Sequence, residues 1–272
     1  MKRALTIVTF LMLVISLTLP SCKNKSAERN QKKVELEQRE EIENQIETNV
    51  YPLPTSASVI KMLTELEVGY IFGISNPVEN TKKYFSSPSR AINLGVYGAD
   101  LSYATLYNIE QGVINYLNAI RSLANELNMT QLYNEELYEK IKKNYDNKDE
   151  LVKILTEAFN DTYSYLAEND QKPLALLVVG GAWVEGMYLT THVSEAAYQV
   201  AGISGVLLEQ KESFEMFLET TQPYKNDPAV ADFLKQLDPV KEVYKNLGTS
   251  LTEQNIKDIT RVIEDVRSKI IM

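Results

Sequence analysis

The sequence predicts an all-α domain between residues 52 and 272, on three observations. Apolar residues recur every three or four positions, as on one face of a helix, and not in strict alternation. No Asn-Gly or Asp-Gly dipeptide marks a hairpin turn. Prolines fall where helices begin or break. We therefore expect a single multi-helix bundle, or a stack of helical hairpins, of about nine or ten helices.

Four apolar faces carry this prediction most clearly. They are Val59, Met62, Leu63, Leu66 and Tyr70; Val113, Leu117, Ile120, Ala124 and Leu127; Leu151, Ile154, Leu155, Ala158, Thr162 and Tyr165; and Ile256, Ile259, Ile263, Val266 and Ile270. The prolines expected at helix starts or breaks are Pro77, Pro88, Pro173, Pro223, Pro228 and Pro239.

Residues 1–21 have the composition of a secretory signal peptide. Lys2 and Arg3 supply a positive start, and an uncharged, mainly apolar run of 16 residues follows from Ala4 to Leu19. This run is short for a membrane span, which needs roughly 20 residues. We therefore expect these residues to direct export and to be removed.

The tetrapeptide Leu19-Pro20-Ser21-Cys22 resembles the lipobox of bacterial lipoproteins. Leu19 supplies the aliphatic residue and Ser21 the small residue before the cysteine, whereas Pro20 departs from the usual pattern. The resemblance implies that Cys22 becomes the lipidated N-terminus and anchors the protein to the bilayer. The alternative is an ordinary thiol. Cys22 is the one cysteine, which excludes a disulfide framework and a cysteine-based zinc cluster.

Residues 22–51 form the expected tether, because nearly all of them are polar or charged and too few are apolar to build a core. Pro52 and Pro54 end it. Lys23 and Asn24 follow the cysteine. In the lipoprotein pattern, the absence of an Asp at that position implies the outer membrane, and the absence of an acidic cluster favours its periplasmic face.

Charge composition argues against a nucleic-acid partner. The chain has 28 basic and 37 acidic residues, a net charge of −9. Loss of Lys2 and Arg3 with the signal leaves 26 against 37, or −11. A nucleic-acid binder needs a basic face that neutralises phosphates.

Two apolar segments, residues 91–106 and 174–184, are predicted to be central helices. Their glycines are costly inside helices, so we expect them to permit close helix–helix approach. With an offset of 86, Gly95 aligns with Gly181 and Tyr97 with Trp183. We favour chance likeness between two small-residue helices as the explanation, with an internal duplication as the alternative.

The acids of these helices are the main candidates for a functional site. Asp100 and Glu185 stand among apolar neighbours, where an ionised carboxylate is costly without a partner. They either line a ligand cleft or accept hydrogen bonds within the core. With 16 tyrosines in the chain, Tyr97 and Tyr103 are nearby donors, and Trp183 completes the candidate aromatic lining.

His192 is the one histidine, and it lies seven residues after Glu185, on the same helical face if the helix continues. Glu195 extends that stripe. The three side chains could hold a divalent metal, or His192 could act as a general base or simply be hydrogen-bonded. Because no second histidine is present, the sequence assigns no metal site, no cofactor and no catalytic residue.

Residues 94–107 resemble a segment of uncharacterised helical lipoproteins of Bacteroidota. The resemblance implies the same envelope location and fold class and no activity. The expected function is therefore the binding of a small ligand or a partner protein by an anchored envelope protein. The alternatives are an envelope enzyme that uses Asp100 and Glu185, or a structural subunit of an envelope assembly.

Overall fold

The computed structural model describes residues 69–197 and 203–272, which all belong to one compact unit. They form eight α-helices, two short 3-10 helices and no strand, so the predicted all-α bundle is confirmed for this part of the chain. The signal peptide, Cys22, the tether and the helix expected around Val59 lie outside the described residues and stay predictions.

Five of the described α-helices begin at a residue whose side chain caps the first turn, whereas the helix that follows Ile109 begins without such a cap. Ser86, Asn134, Asn147, Asp227 and Thr252 each accept a hydrogen bond from a backbone N–H in the first turn. The α-helices are α1 (Ser87–Leu106), α2 (Glu110–Glu126), α3 (Glu135–Lys143), α4 (Lys148–Glu168), α5 (Lys172–Ala197), α6 (Ile203–Thr221), α7 (Pro228–Lys245) and α8 (Glu253–Ile270). The 3-10 helices are Val78–Lys83 and Gln222–Tyr224.

Pro239 corrects one prediction, because it lies inside α7 and does not end that helix. Leu237, Val240 and Tyr244 are all buried on either side of it. Their packing continues the helix through a residue that lacks an N–H donor.

Helix α5 is the buried helix that the sequence predicts, but it is longer than the expected 11-residue core segment. It runs for 26 residues, since the polar residues after Val184 continue the helix. Among the described residues, Lys172–His192 is the stretch long and apolar enough to cross a membrane, yet 89% of its most apolar window is buried inside the bundle. A core helix passes the same test of length and composition.

Helices α1 and α5 pack in direct backbone contact through two glycines. A Cβ atom on Gly95 would overlap the carbonyl oxygen of Val178, and one on Gly181 would overlap the carbonyl oxygen of Ile92. The expectation that glycines permit close helix approach is confirmed for Gly95 and Gly181 but wrong for Gly98, where an added Cβ would meet nothing within 4 Å. The offset of 86 that aligns Gly95 with Gly181 also aligns Ile92 with Val178, so each glycine contacts the residue that corresponds to the other glycine's partner. Two similar halves would show this relation. Duplication itself stays a prediction.

Residues 70–84 form a strap that runs back along α1, from near its last turn to its first. The N–H of Ile71 donates to the hydroxyl of Tyr103, and the hydroxyl of Tyr97 donates to the carbonyl of Pro77. At the far end, Tyr84 donates to the carbonyl of Ile271, beyond α8. The strap therefore connects α1 with the end of α8.

The glycine contact gives a first prediction. Gly95→Ala should lower the free energy of unfolding by at least about 2 kcal/mol, because its methyl group forces α1 and α5 apart. Gly98→Ala is the matched control, since nothing lies within 4 Å of its added Cβ. It should raise that free energy by up to about 1 kcal/mol through helix propensity. Urea unfolding followed by circular dichroism measures both changes, and equal effects of the two substitutions would contradict the contact.

Candidate functional site

A buried ion pair between α5 and α8 is the centre of the candidate site. Arg267 donates from Nε to Oε2 of Glu185 at 2.6 Å and from Nη2 to Oε1 at 2.7 Å. Glu185 has no exposed surface and Arg267 has little. The planar guanidinium also lies 3.8 Å from the ring centre of Tyr188. This two-pronged geometry is the strong form of an arginine–carboxylate contact.

Asp100 brings a second carboxyl group from α1 to the same place. It is fully buried, and its Oδ2 accepts the backbone N–H of Asn76 at 3.1 Å. The Ser75 hydroxyl and the Glu185 carboxylate lie within interacting distance of the Asp100 carboxyl. Even so, neither Oδ1 of Asp100 nor Oγ of Ser75 makes a hydrogen bond of normal geometry with any described residue.

Two buried carboxyl groups thus lie near one guanidinium, and this arrangement shifts the pKa of Asp100 and of Arg267. Burial, followed by repulsion from Glu185, raises the pKa of the Asp100 carboxyl well above its ordinary value of 3.8. For Arg267, burial opposes the charge, but the attraction of Glu185 outweighs it and raises the pKa of the guanidinium. The two hydrogen bonds of Arg267 to Glu185 are those of an ion pair, and the raised pKa of Asp100 favours a protonated carboxyl beside it.

Three of the predicted ligand-binding side chains, Asp100, Tyr97 and Tyr103, bind the strap of this same chain, as does Arg267, which was not predicted. Arg267 donates from Nη2 to the carbonyl of Ile74 at 3.1 Å. Tyr103 accepts the N–H of Ile71 at 3.1 Å, and Tyr97 donates to the carbonyl of Pro77 at 2.8 Å. Burial raises the pKa of the Tyr103 hydroxyl to about 12 and raises that of Tyr97 as well, so both stay protonated. The strap occupies the place where the sequence predicts a ligand.

Trp183 lies apart from this cluster, in the aromatic core between α5, α6 and α7. Its ring stacks on Phe214 with centroids 4.7 Å apart, and Tyr244 lies 6.3 Å away. Its Nε1 has no hydrogen-bond partner among the described residues. Trp183 therefore fills the core and shares no lining with Asp100.

His192 shares the helical face of Glu185, as predicted, but it contacts different groups. Its Nδ1 lies 2.8 Å from the carbonyl oxygen of Tyr188, and its Nε2 lies 2.9 Å from Oε1 of Glu264. The Tyr188 ring packs against both the His192 ring and the Arg267 guanidinium. His192 is thus an outer neighbour of the ion pair, half-buried, and does not converge with the acids.

Glu185 and His192 are not brought together as metal ligands in the part of the chain that the structure describes. Glu185 is bound to Arg267, and the side chain of Glu195 lies outside the described residues. No three His, Cys, Asp or Glu side chains among the described residues are placed to hold a metal ion.

Sequence reasoning missed Arg267 and the strap. Arg267 follows Ile263 by four residues, so it stands on the apolar stripe of α8, and a charged residue there signals an inward partner. The strap gave no such signal because its bonds use backbone atoms. Both acids have no exposed surface, so they can act on a dissolved ligand only after the strap leaves.

The ion pair predicts a large loss of stability when one partner is neutralised. Glu185→Gln removes the carboxylate that accepts two hydrogen bonds from Arg267 and leaves Asp100, which makes no hydrogen bond to the guanidinium, as the acid nearby; it should lower the free energy of unfolding by about 3 to 5 kcal/mol. Glu264→Gln, on the exposed side of the same seam, is the matched control and should change it by less than about 1 kcal/mol. Chemical denaturation at pH 7 measures both, and a tolerated Glu185→Gln would contradict the role of the pair.

The raised pKa of Asp100 predicts that the free energy of unfolding depends on pH. Because the pKa of its carboxyl is higher in the folded chain than in the unfolded chain, the folded state binds the proton more tightly. Its contribution to the free energy of unfolding is greatest below about pH 4 and decreases as the pH rises through the raised pKa.

Asp100→Asn keeps an acceptor for Asn76 and a donor toward Glu185 without titrating. The variant should be more stable than the parent at neutral and alkaline pH, and the difference should shrink as the pH falls toward 4. Urea unfolding at several pH values measures this difference. A difference that does not change with pH would show that Asp100 does not titrate in this range.

Comparisons of this chain with protein-family models, with curated proteins and with solved structures found no match.

Proposed function

We propose that this chain is a lipid-anchored protein of the bacterial outer membrane that binds a partner protein on the periplasmic side. The lipobox-like tetrapeptide ending at Cys22 supports the anchor. The observation that carries the binding role is the strap, whose backbone is bonded at Ile71, Ile74, Asn76 and Pro77 by buried side chains. These bonds attach residues 71–77 to the helical core.

The same bonds favour a partner protein over a small ligand held by the acids. Asp100 accepts a hydrogen bond from the strap, and Glu185 is paired with Arg267. A second molecule would therefore contact the outer surface of the protein and not these acids. Phe72 and Phe85 are exposed to 83% and 81% at either end of the strap. Exposed aromatic side chains are common anchors in protein interfaces.

The enzymatic alternative has less support from the geometry. It needs Asp100, Glu185 and His192 to act together, but His192 contacts Tyr188 and Glu264 and neither acid has exposed surface.

Membrane fractionation of cells that express the full chain tests the anchor. The protein should sediment with the outer membrane and require detergent for extraction, while Cys22→Ser should release it or leave an uncleaved precursor. Mass spectrometry of the N-terminal peptide should show an acylated Cys22. An unmodified Cys22 in the membrane-extracted protein would overturn the anchor.

Site-specific photo-crosslinking in living cells tests the partner. A photoreactive phenylalanine analogue at Phe72 or Phe85 should give one discrete higher-mass adduct. The matched controls are the same analogue at Lys143 and Lys245, which are exposed at the ends of α3 and α7. Adducts of equal yield at all four positions, or at none, would contradict a partner surface near the strap.

A further inference from the structure

Two large apolar side chains are exposed at the end of the bundle where the strap meets α1. They are Phe85, which is 81% exposed, and Met272, which is 74% exposed. The hydroxyl of Tyr84 donates to the carbonyl of Ile271 at 3.3 Å, and each of these two residues directly precedes one of the exposed side chains. Phe85 and Met272 therefore lie at the same end of the bundle, which we call the Phe85 end.

Exposed lysines flank both of these apolar side chains. Lys82 and Lys83 lie in the last turn of the 3-10 helix that precedes Phe85, and Lys269 lies in the last turn of α8. In the described part of the chain, none of the three lysines forms an ion pair with an acid. Their charges are therefore available to a second molecule.

The neighbouring charges do not cancel those of the lysines. Within four residues of them along the chain, the acids are Glu79 and Asp265, two against three. Arg90 and Glu126 neutralise each other, with 3.1 Å between Nη2 and Oε2. The first turn of α1 contains no acid, and the backbone N–H groups there add positive partial charge. The Phe85 end is thus positive, whereas the whole chain carries a net charge of −9.

We propose that the partner protein binds the Phe85 end through an acidic segment that also carries an apolar side chain. The apolar side chain packs on Phe85, and carboxylates beside it pair with Lys82 and Lys83. Burial of the apolar contact supplies most of the affinity, while the surrounding charges select and orient the partner. This contact refines the partner-binding role proposed above and rests on it.

An anionic bilayer carries the same sign of charge but fits this surface less well. Binding within a lipid interface uses a continuous apolar face, such as that of an amphipathic helix. Here Phe85 and Met272 are single apolar side chains on two different segments, and the polar residues Ser86 and Ser87 follow Phe85 directly. A local apolar contact with charges around it is typical of a protein interface.

Photo-crosslinking in living cells tests the acidic segment. The full chain carries the photoreactive phenylalanine analogue at Phe85, and mass spectrometry identifies the partner peptide in the adduct, which should be rich in Asp and Glu. Lys82→Glu combined with Lys83→Glu should lower the adduct yield at least about tenfold, because like charges then face each other. Lys235→Glu combined with Lys241→Glu, at exposed positions of α7, is the matched control and should leave the yield unchanged.

A conservative pair separates charge from folding. Lys82→Arg combined with Lys83→Arg should keep the adduct, and circular dichroism shows whether each variant is folded. If the glutamate pair is not folded, Lys82→Gln combined with Lys83→Gln replaces it and should lower the yield about fivefold.

Three results would overturn the acidic segment and leave a partner possible at Phe72. They are a phospholipid adduct at Phe85, a partner peptide without acidic residues, and a yield that the folded charge variant does not change. Absence of any adduct at both Phe72 and Phe85 in the parent chain would instead overturn the partner-binding role itself, and the acidic segment with it.

Discussion

The ion pair between Glu185 and Arg267 is the interaction on which the rest of this structure depends. It joins α5 to α8 in the buried interior, and Nη2 of the guanidinium also reaches the carbonyl of Ile74 in the strap. A lysine could not make these contacts together, since it lacks the planar fork of donors. One arginine thus fixes two helices and an irregular segment in a single arrangement.

Burial of charged groups in this arrangement is energetically unfavourable, and the protonation of Asp100 reduces that cost. A buried ion pair adds little net stability compared with apolar residues of the same size, but it penalises any packing in which the charges separate. Asp100 adds a second acid that the pair cannot neutralise, and its raised pKa removes that charge by protonation. The close contact of α1 with α5 at Gly95 and Gly181 brings Asp100 to the pair. The close contact at the glycines and the position of the acids therefore depend on each other.

The predicted residues differ in how well their surroundings could be inferred. Burial of Asp100 and Glu185 followed from their apolar neighbours along each helix, which is local information. His192 shares the predicted face with Glu185, but its actual partner, Glu264, comes from a helix distant in the chain. Trp183 was grouped with the acids because it is close to Glu185 in sequence, yet it points into the aromatic core. Residues two apart in a helix point to different sides of it, so Trp183 and Glu185 contact different parts of the bundle although they are close in sequence.

The amino-acid pattern alone was enough to predict the helical class, the burial of the central part of α5 and the close approach of helices at Gly95 and Gly181. These features depend on periodicity and on backbone chemistry within a few residues. Only the tertiary structure decided that Arg267 neutralises Glu185, that the strap fills the place of the predicted ligand and that Pro239 stays within a helix. Each of these results from contacts between segments far apart in the chain, and local pattern carries no information on which distant segments will meet.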